Sequence, residues 1–182
     1  MHNPTLGNVG LLMRLWSVVL AGNLIGTAVA AWAFNYMPIF DEPTRQAFVS
    51  IAEDVMKNSP TEMFANAIIS GWLVATMVWM FPVAGAAKIV VIILMTWLIA
   101  LADTTHIVVG SVEILYLVFN GNLPWSDFIW PFALPTLAGN ICGGTFIFAL
   151  LSHAQIRNDM SSKRKAEARA QAAEKGKKAD RA

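Results

Sequence analysis

The chain has 182 residues, 56% of them hydrophobic and 14% charged, with a formal net charge of +1. Nine of its 13 Lys and Arg residues follow Ile156, leaving Arg14, Arg45, Lys57 and Lys88 for everything before. So few charges cannot cover a water-soluble surface of this size, which excludes a soluble domain and points to an all-α integral membrane protein.

Crossing a hydrocarbon core takes about 20 mostly apolar residues. A first span is predicted over residues 11–36, interrupted by Arg14 and by Ala21-Gly22-Asn23-Leu24-Ile25-Gly26. Nothing ahead of it reads as a cleaved signal, because no basic stretch precedes the apolar core. Residues 36–60 read as an external loop. Within it Phe48, Ile51, Ala52 and Val55 recur at helical spacing, with Glu53, Asp54 and Lys57 on other faces. That pattern predicts a short amphipathic helix lying in the interface.

The second span is predicted over 61–81. Ser59 is its N-cap, Pro60 its first residue, and Glu62 completes a capping box. The third segment, 88–119, has 32 residues. As one straight helix it would measure about 48 Å, against a core of about 30 Å. Asp103-Thr104-Thr105-His106 and Gly110-Ser111 interrupt its Val/Ile/Leu sequence, so two half-helices with an irregular linker are expected. Such a linker survives at membrane depth only beside protein or a water-filled cavity. The fourth span is predicted over 128–152, capped by Asp127, with Pro131 and Pro135 in its early turns. The expected fold is thus four transmembrane helices, one broken near its middle.

Four spans place both termini on one side. The basic tail, 157–182, makes that side cytoplasmic, with Arg14 and Lys88 on it and Arg45 and Lys57 facing out. Residues 1–156 then form one transmembrane domain. The tail has no apolar stripe and reads either as a solvated or disordered segment or as an anchor to anionic headgroups.

The phrase at 21–26 returns as Ala138-Gly139-Asn140-Ile141-Cys142-Gly143, which suggests an internal repeat. Glycines four apart, Gly22 with Gly26 and Gly139 with Gly143, let helices approach closely in lipid. The added amides of Asn23 and Asn140 need partners for two donors and an acceptor, which irregular backbone at a helix break can offer. A loop-supporting role is expected of both. His106 has two readings: an imidazole satisfied between helices, or a donor presented to a ligand in a pore. Its place at the break, beside Thr104 and Thr105, favours the second. Asp103 and Glu113 are costly in a bilayer and are expected near loop backbone, subunit contacts or water. His2, His106 and His153 form no ligand cluster, so neither a metal nor another cofactor is expected. Cys142, the sole cysteine, reads as a small buried hydrophobe. No nucleophile triad, phosphate loop or dinucleotide fingerprint is present, so an enzyme is not expected.

These residues resemble the formate/nitrite transporter family. The resemblance covers residues 8–155. It rests on Gly22-Asn23-xx-Gly26, on Thr105-His106 in a broken helix, and on Pro135-xxx-Gly139-Asn140-xx-Gly143-Gly144. Val108 to Glu113 looks closer to the poorly characterised inner-membrane branch. The family implies six-helix protomers assembled as homopentamers in the bacterial inner membrane, each with its own pore and two inverted three-helix repeats. On that plan this chain carries helices three to six, and the repeated motif falls on the counterpart helices three and six. Helices one and two are missing from the match. Gly71 falls where formate channels carry an Asn facing the central His.

The resemblance implies passage of a small monovalent anion such as formate or nitrite, or of its neutral acid, and no nucleic-acid partner. The expected path is His106 with Thr104 and Thr105, walled by Val108 and Val109. The competing reading is a non-transporting membrane subunit, or truncated relative, with a structural role.

Overall fold

The computed structural model describes residues 6–153, and every element in them is helical. Three helical stretches, Gly7–Tyr36, Pro60–Leu101 and Trp125–His153, are long and apolar enough to cross a membrane, and Ile107–Phe119 is a shorter apolar helix. The basic tail lies outside the described residues.

Helix α1 spans Leu6–Tyr36. The turn after it is held by Arg45. Its guanidinium donates to the carbonyls of Asn35 (3.0 Å), at the helix end, and of Met37 (2.9 Å) and Phe40 (3.3 Å) in the turn. Helix α2 spans Glu42–Met56 and starts on Asp41, whose side chain accepts from the Thr44 N–H. Its apolar stripe packs on the helix at Ile107–Phe119, with Ala52 fully buried.

Helix α3 spans Pro60–Ala84 and opens with the expected capping box: Glu62 Oε2 accepts from the Ser59 N–H at 2.7 Å, and Ser59 Oγ accepts from the Glu62 N–H. One turn of 3-10 helix, Gly85–Ala87, leads into α4, Lys88–Leu101. Gly85 adopts a φ of 50°, a conformation open to glycine, and the two helices pack on one another. The second span and the first half of the third are therefore joined by a tight turn at Gly85, with no loop between them.

After α4 the helix stops, and α5 begins at Ile107 and runs to Phe119. At 14 and 13 residues the pieces measure about 21 Å and 20 Å, each too short to cross alone. The break is confined to residues 102–106. Gly110 and Ser111, expected to belong to it, lie buried inside α5. A Cβ at Gly110 would sit 2.8 Å from the Phe132 ring, and the Ser111 hydroxyl donates back to the Ile107 carbonyl. Their small size serves packing here, which sequence spacing cannot tell from a break.

The last span, Trp125–His153, starts three residues earlier than expected, with Pro124 in the cap position and Asp127 already inside the first turn. It kinks at Trp130, whose backbone is extended (φ −137°, ψ 124°) ahead of Pro131, as steric conflict with a proline ring favours. Its closest packing is with α3, through Gly71, Gly139 and Gly143. Met63, Ile107, Ile114, Leu117 and Phe132 form the buried core where α3, α5 and the last span meet. The faces of α1 and α4 remain apolar and exposed, for example at Val18, Ile25, Ile89 and Ile93, as suits lipid or further protein.

Candidate functional site

The site is built at the break between α4 and α5. Its backbone is tied by one side chain from each of two other helices. Asn140 Oδ1 accepts from the Ile107 N–H at 2.9 Å, one of the donors a helix start leaves free. The same amide donates to the Ala67 carbonyl (2.8 Å) and to Ser70 Oγ (3.0 Å). Ser70, fully buried, donates in turn to the Thr105 carbonyl at 2.5 Å. A polar chain thus runs from the last span through α3 to both sides of the break, giving irregular backbone at membrane depth the partners that lipid cannot supply.

Close approach makes that chain possible. A Cβ on Gly71 would lie 2.5 Å from the Asn140 carbonyl oxygen and 2.8 Å from its Cα. Cβ atoms on Gly139 and Gly143 would collide with the carbonyls of Phe64 and Ile68. Gly144 is looser, its imagined Cβ 3.3 Å from the Gly71 carbonyl. Gly71 therefore faces the last span and does not line the cavity where the resemblance sought a partner for the histidine. A larger side chain at 71 would force α3 away from Asn140.

His106 occupies the N-cap position of α5 in extended backbone, and its Nδ1 accepts from the Val108 N–H at 3.3 Å. With Nδ1 an acceptor, a neutral ring carries its proton on Nε2, as a hydrogen-bond donor. The ring lines a cavity of about 440 Å³ together with Thr104, Thr105, Val109, Asp103 and Glu113. Thr104 spends its hydroxyl on the Ile99 carbonyl at 3.0 Å, while Thr105 is nearly buried. Val108 faces a neighbouring cavity, lined mostly by apolar groups including Phe34, Phe48 and Tyr116. Among the described residues no group of three or more potential metal ligands comes together.

The first copy of the repeat stays away from this site. Nothing lies within 4 Å of a Cβ built on Gly22 or Gly26, and Asn23 donates only to the Val19 carbonyl of its own helix. Reading by residue type missed Ser70, which looks in sequence like any small residue of an apolar helix. It also missed Asp54 of α2 and Asn58 just beyond it, which line the His106 cavity from a segment expected to lie apart.

The site is thus a broken apolar helix, clamped by the Asn of a Gly-Asn-xx-Gly motif, with a histidine at the cap of its second half. Residues 5–154 match the formate/nitrite transporter family. The chain belongs to that family. It is therefore a member of a transporter family and not an enzyme. It is 83% identical over 172 residues to the inner membrane protein YfdC of Escherichia coli (strain K12), an alignment that covers 94% of this chain and 56% of that protein. The chain thus spans little more than half the length of this relative. No solved structure matches it.

Proposed function

We propose that the chain supplies the His106 side of a transmembrane path for small monovalent anions such as formate or nitrite, or for their neutral acids. The observation that carries this reading is the break itself. It presents an imidazole donor and the N-terminal end of α5 to one cavity, between two half-helices. The Ile107 and Val108 N–H groups are already taken by Asn140 and His106, but the helix dipole still favours a negative oxygen at the start of α5, as discontinuous helices do at the depth where water is scarce. His106 is the donor to one bound oxygen, Thr104 and Thr105 shape the turn, and Val108 and Val109 form apolar wall that sheds a hydration shell.

Family membership supports a six-helix inverted-repeat protomer of which these are helices three to six, assembled as a pentamer with a pore in each protomer. Kinship to an inner membrane protein supports that location, with both termini cytoplasmic by the placement of basic residues. In this architecture Asn140, Gly139, Gly143 and Gly144 support the break at 102–106, and Gly22, Asn23 and Gly26 do the same for a counterpart element.

The test is uptake of formate and nitrite into vesicles by the full-length protein. His106→Ala and His106→Phe are expected to remove most of the flux and flatten its pH dependence. Unchanged flux in both variants would eliminate the donor role.

A further inference from the structure

The two ends of the helix bundle carry opposite charge. Packing shows which residues share an end. The Tyr36 hydroxyl donates to the Phe119 carbonyl at 2.9 Å, and the Phe119 and Trp125 rings meet edge to face, so α1 ends where α5 ends and the last span begins. The last span runs parallel to α3, meeting it from Phe64 with Gly139 to Trp79 with Phe148, so both finish at the opposite end. Arg14 lies 22 residues before Tyr36 along α1. That is about 33 Å, just past a hydrocarbon core of about 30 Å. Lys88 opens α4 directly after the turn that closes α3. The described stretches 6–35, 63–102 and 128–153, which lead to this end, contain no Asp or Glu. All eight acidic side chains of the described residues lie between the break and the other end. Beyond His153 the chain continues from the Arg14 and Lys88 end, and residues 157–182 hold nine Lys and Arg against four Asp and Glu.

Orienting a chain in the membrane needs only a few bases beside its spans. Here most of the cationic charge is gathered where two bases already stand at headgroup depth. Among the described residues Arg14 and Lys88 form no salt bridge, and 157–182 has no apolar stripe with which to enter lipid. What complements such an end is a layer of negative charge, and the phosphates of acidic headgroups supply one. Each Lys or Arg near an acidic leaflet is held there by about fivefold, an attraction that salt screens. We propose that this end of the bundle is a binding surface for anionic phospholipids, with Arg14 and Lys88 as its fixed contacts and the nine bases of 157–182 as its larger part. The surface selects lipid by headgroup charge, whether or not the chain conducts.

The experiment reconstitutes the full-length protein in phosphatidylcholine bilayers with a trace of spin-labelled phosphatidylglycerol or spin-labelled phosphatidylcholine. The fraction of each label that the protein immobilises is then compared. The wild type should hold phosphatidylglycerol at least about threefold more strongly at low salt, and the preference should shrink as salt screens the charges. Deleting 157–182 should remove most of that preference. Arg14→Gln combined with Lys88→Gln should remove a smaller part. A wild type that holds both labels equally overturns the proposal and leaves the basic tail to a soluble acidic partner. A preference that high salt does not reduce overturns it too, as does one that survives both the deletion and the paired substitution. If a variant does not reconstitute, the wild-type salt series alone decides between these outcomes.

Discussion

Two copies of one six-residue phrase have opposite surroundings in this chain. At 138–143 the glycines press on the α3 backbone and the Asn makes three hydrogen bonds across helices. At 21–26 the glycines face open space and the Asn bonds only to its own helix. Local sequence is therefore insufficient to give the motif its work. Small residues permit close approach and an amide permits cross-helix bonds, but each needs a partner helix and an interrupted backbone to act on.

That contrast can be broken most directly at the glycines. Gly143→Val should prevent α3 from docking and leave little folded protein in detergent, since the branched side chain has to enter the Ile68 backbone. Gly26→Val in this 182-residue chain should leave the yield and melting temperature nearly unchanged. An equal loss for both would show that the first copy is packed as tightly as the second.

The amides give the next largest effect. Asn140→Ala strands the Ile107 N–H and removes a bond to the Ala67 carbonyl, and should cost about 1–3 kcal/mol in a reversible unfolding titration. It should also speed proteolysis at 102–106. Asn23→Ala removes a bond to its own helix and should cost no more than about 0.5 kcal/mol. Ser70→Ala, which removes one direct bond to the break, should fall between them at about 1 kcal/mol. If Asn140→Ala is as mild as Asn23→Ala, the polar chain does not hold the break.

The smallest effect concerns pH at the turn between α1 and α2. The Thr44 side chain and N–H hold the Asp41 carboxyl below its usual 3.8. Because the folded value is the lower one, the cap's contribution is present above pH 3.8 and is lost as pH falls through the lowered value. Amide exchange in the first turn of α2 should therefore rise only at acid pH, and Asp41→Asn should remove most of that dependence. A rise already present at neutral pH would contradict the cap.

Much of the framework was legible from residue types. Hydrophobic length gave the spans, Ser59 and Glu62 marked the start of α3, and an apolar segment of 32 residues had to break somewhere. The break was placed partly wrongly because Gly110 and Ser111 carry the same small, polar signature as a linker. Only the Phe132 ring against Gly110 shows that small size there is demanded by a neighbour. The displaced start of the last span has a similar cause, since Asp127 is a good cap by type and the backbone ahead of it was already helical.

The sequence by itself determined that this chain lives in lipid, how its apolar length is divided, and that a histidine interrupts one helix, because these follow from hydration costs summed along the chain. Tertiary structure alone decided which Gly-Asn motif is used, that Ser70 joins it, that Gly71 turns away from the histidine, and that α2 walls the His106 cavity. Each of these depends on which helix stands within hydrogen-bonding or van der Waals distance of another. Such contacts arise between residues 33 to 73 positions apart, where periodicity carries no record of them.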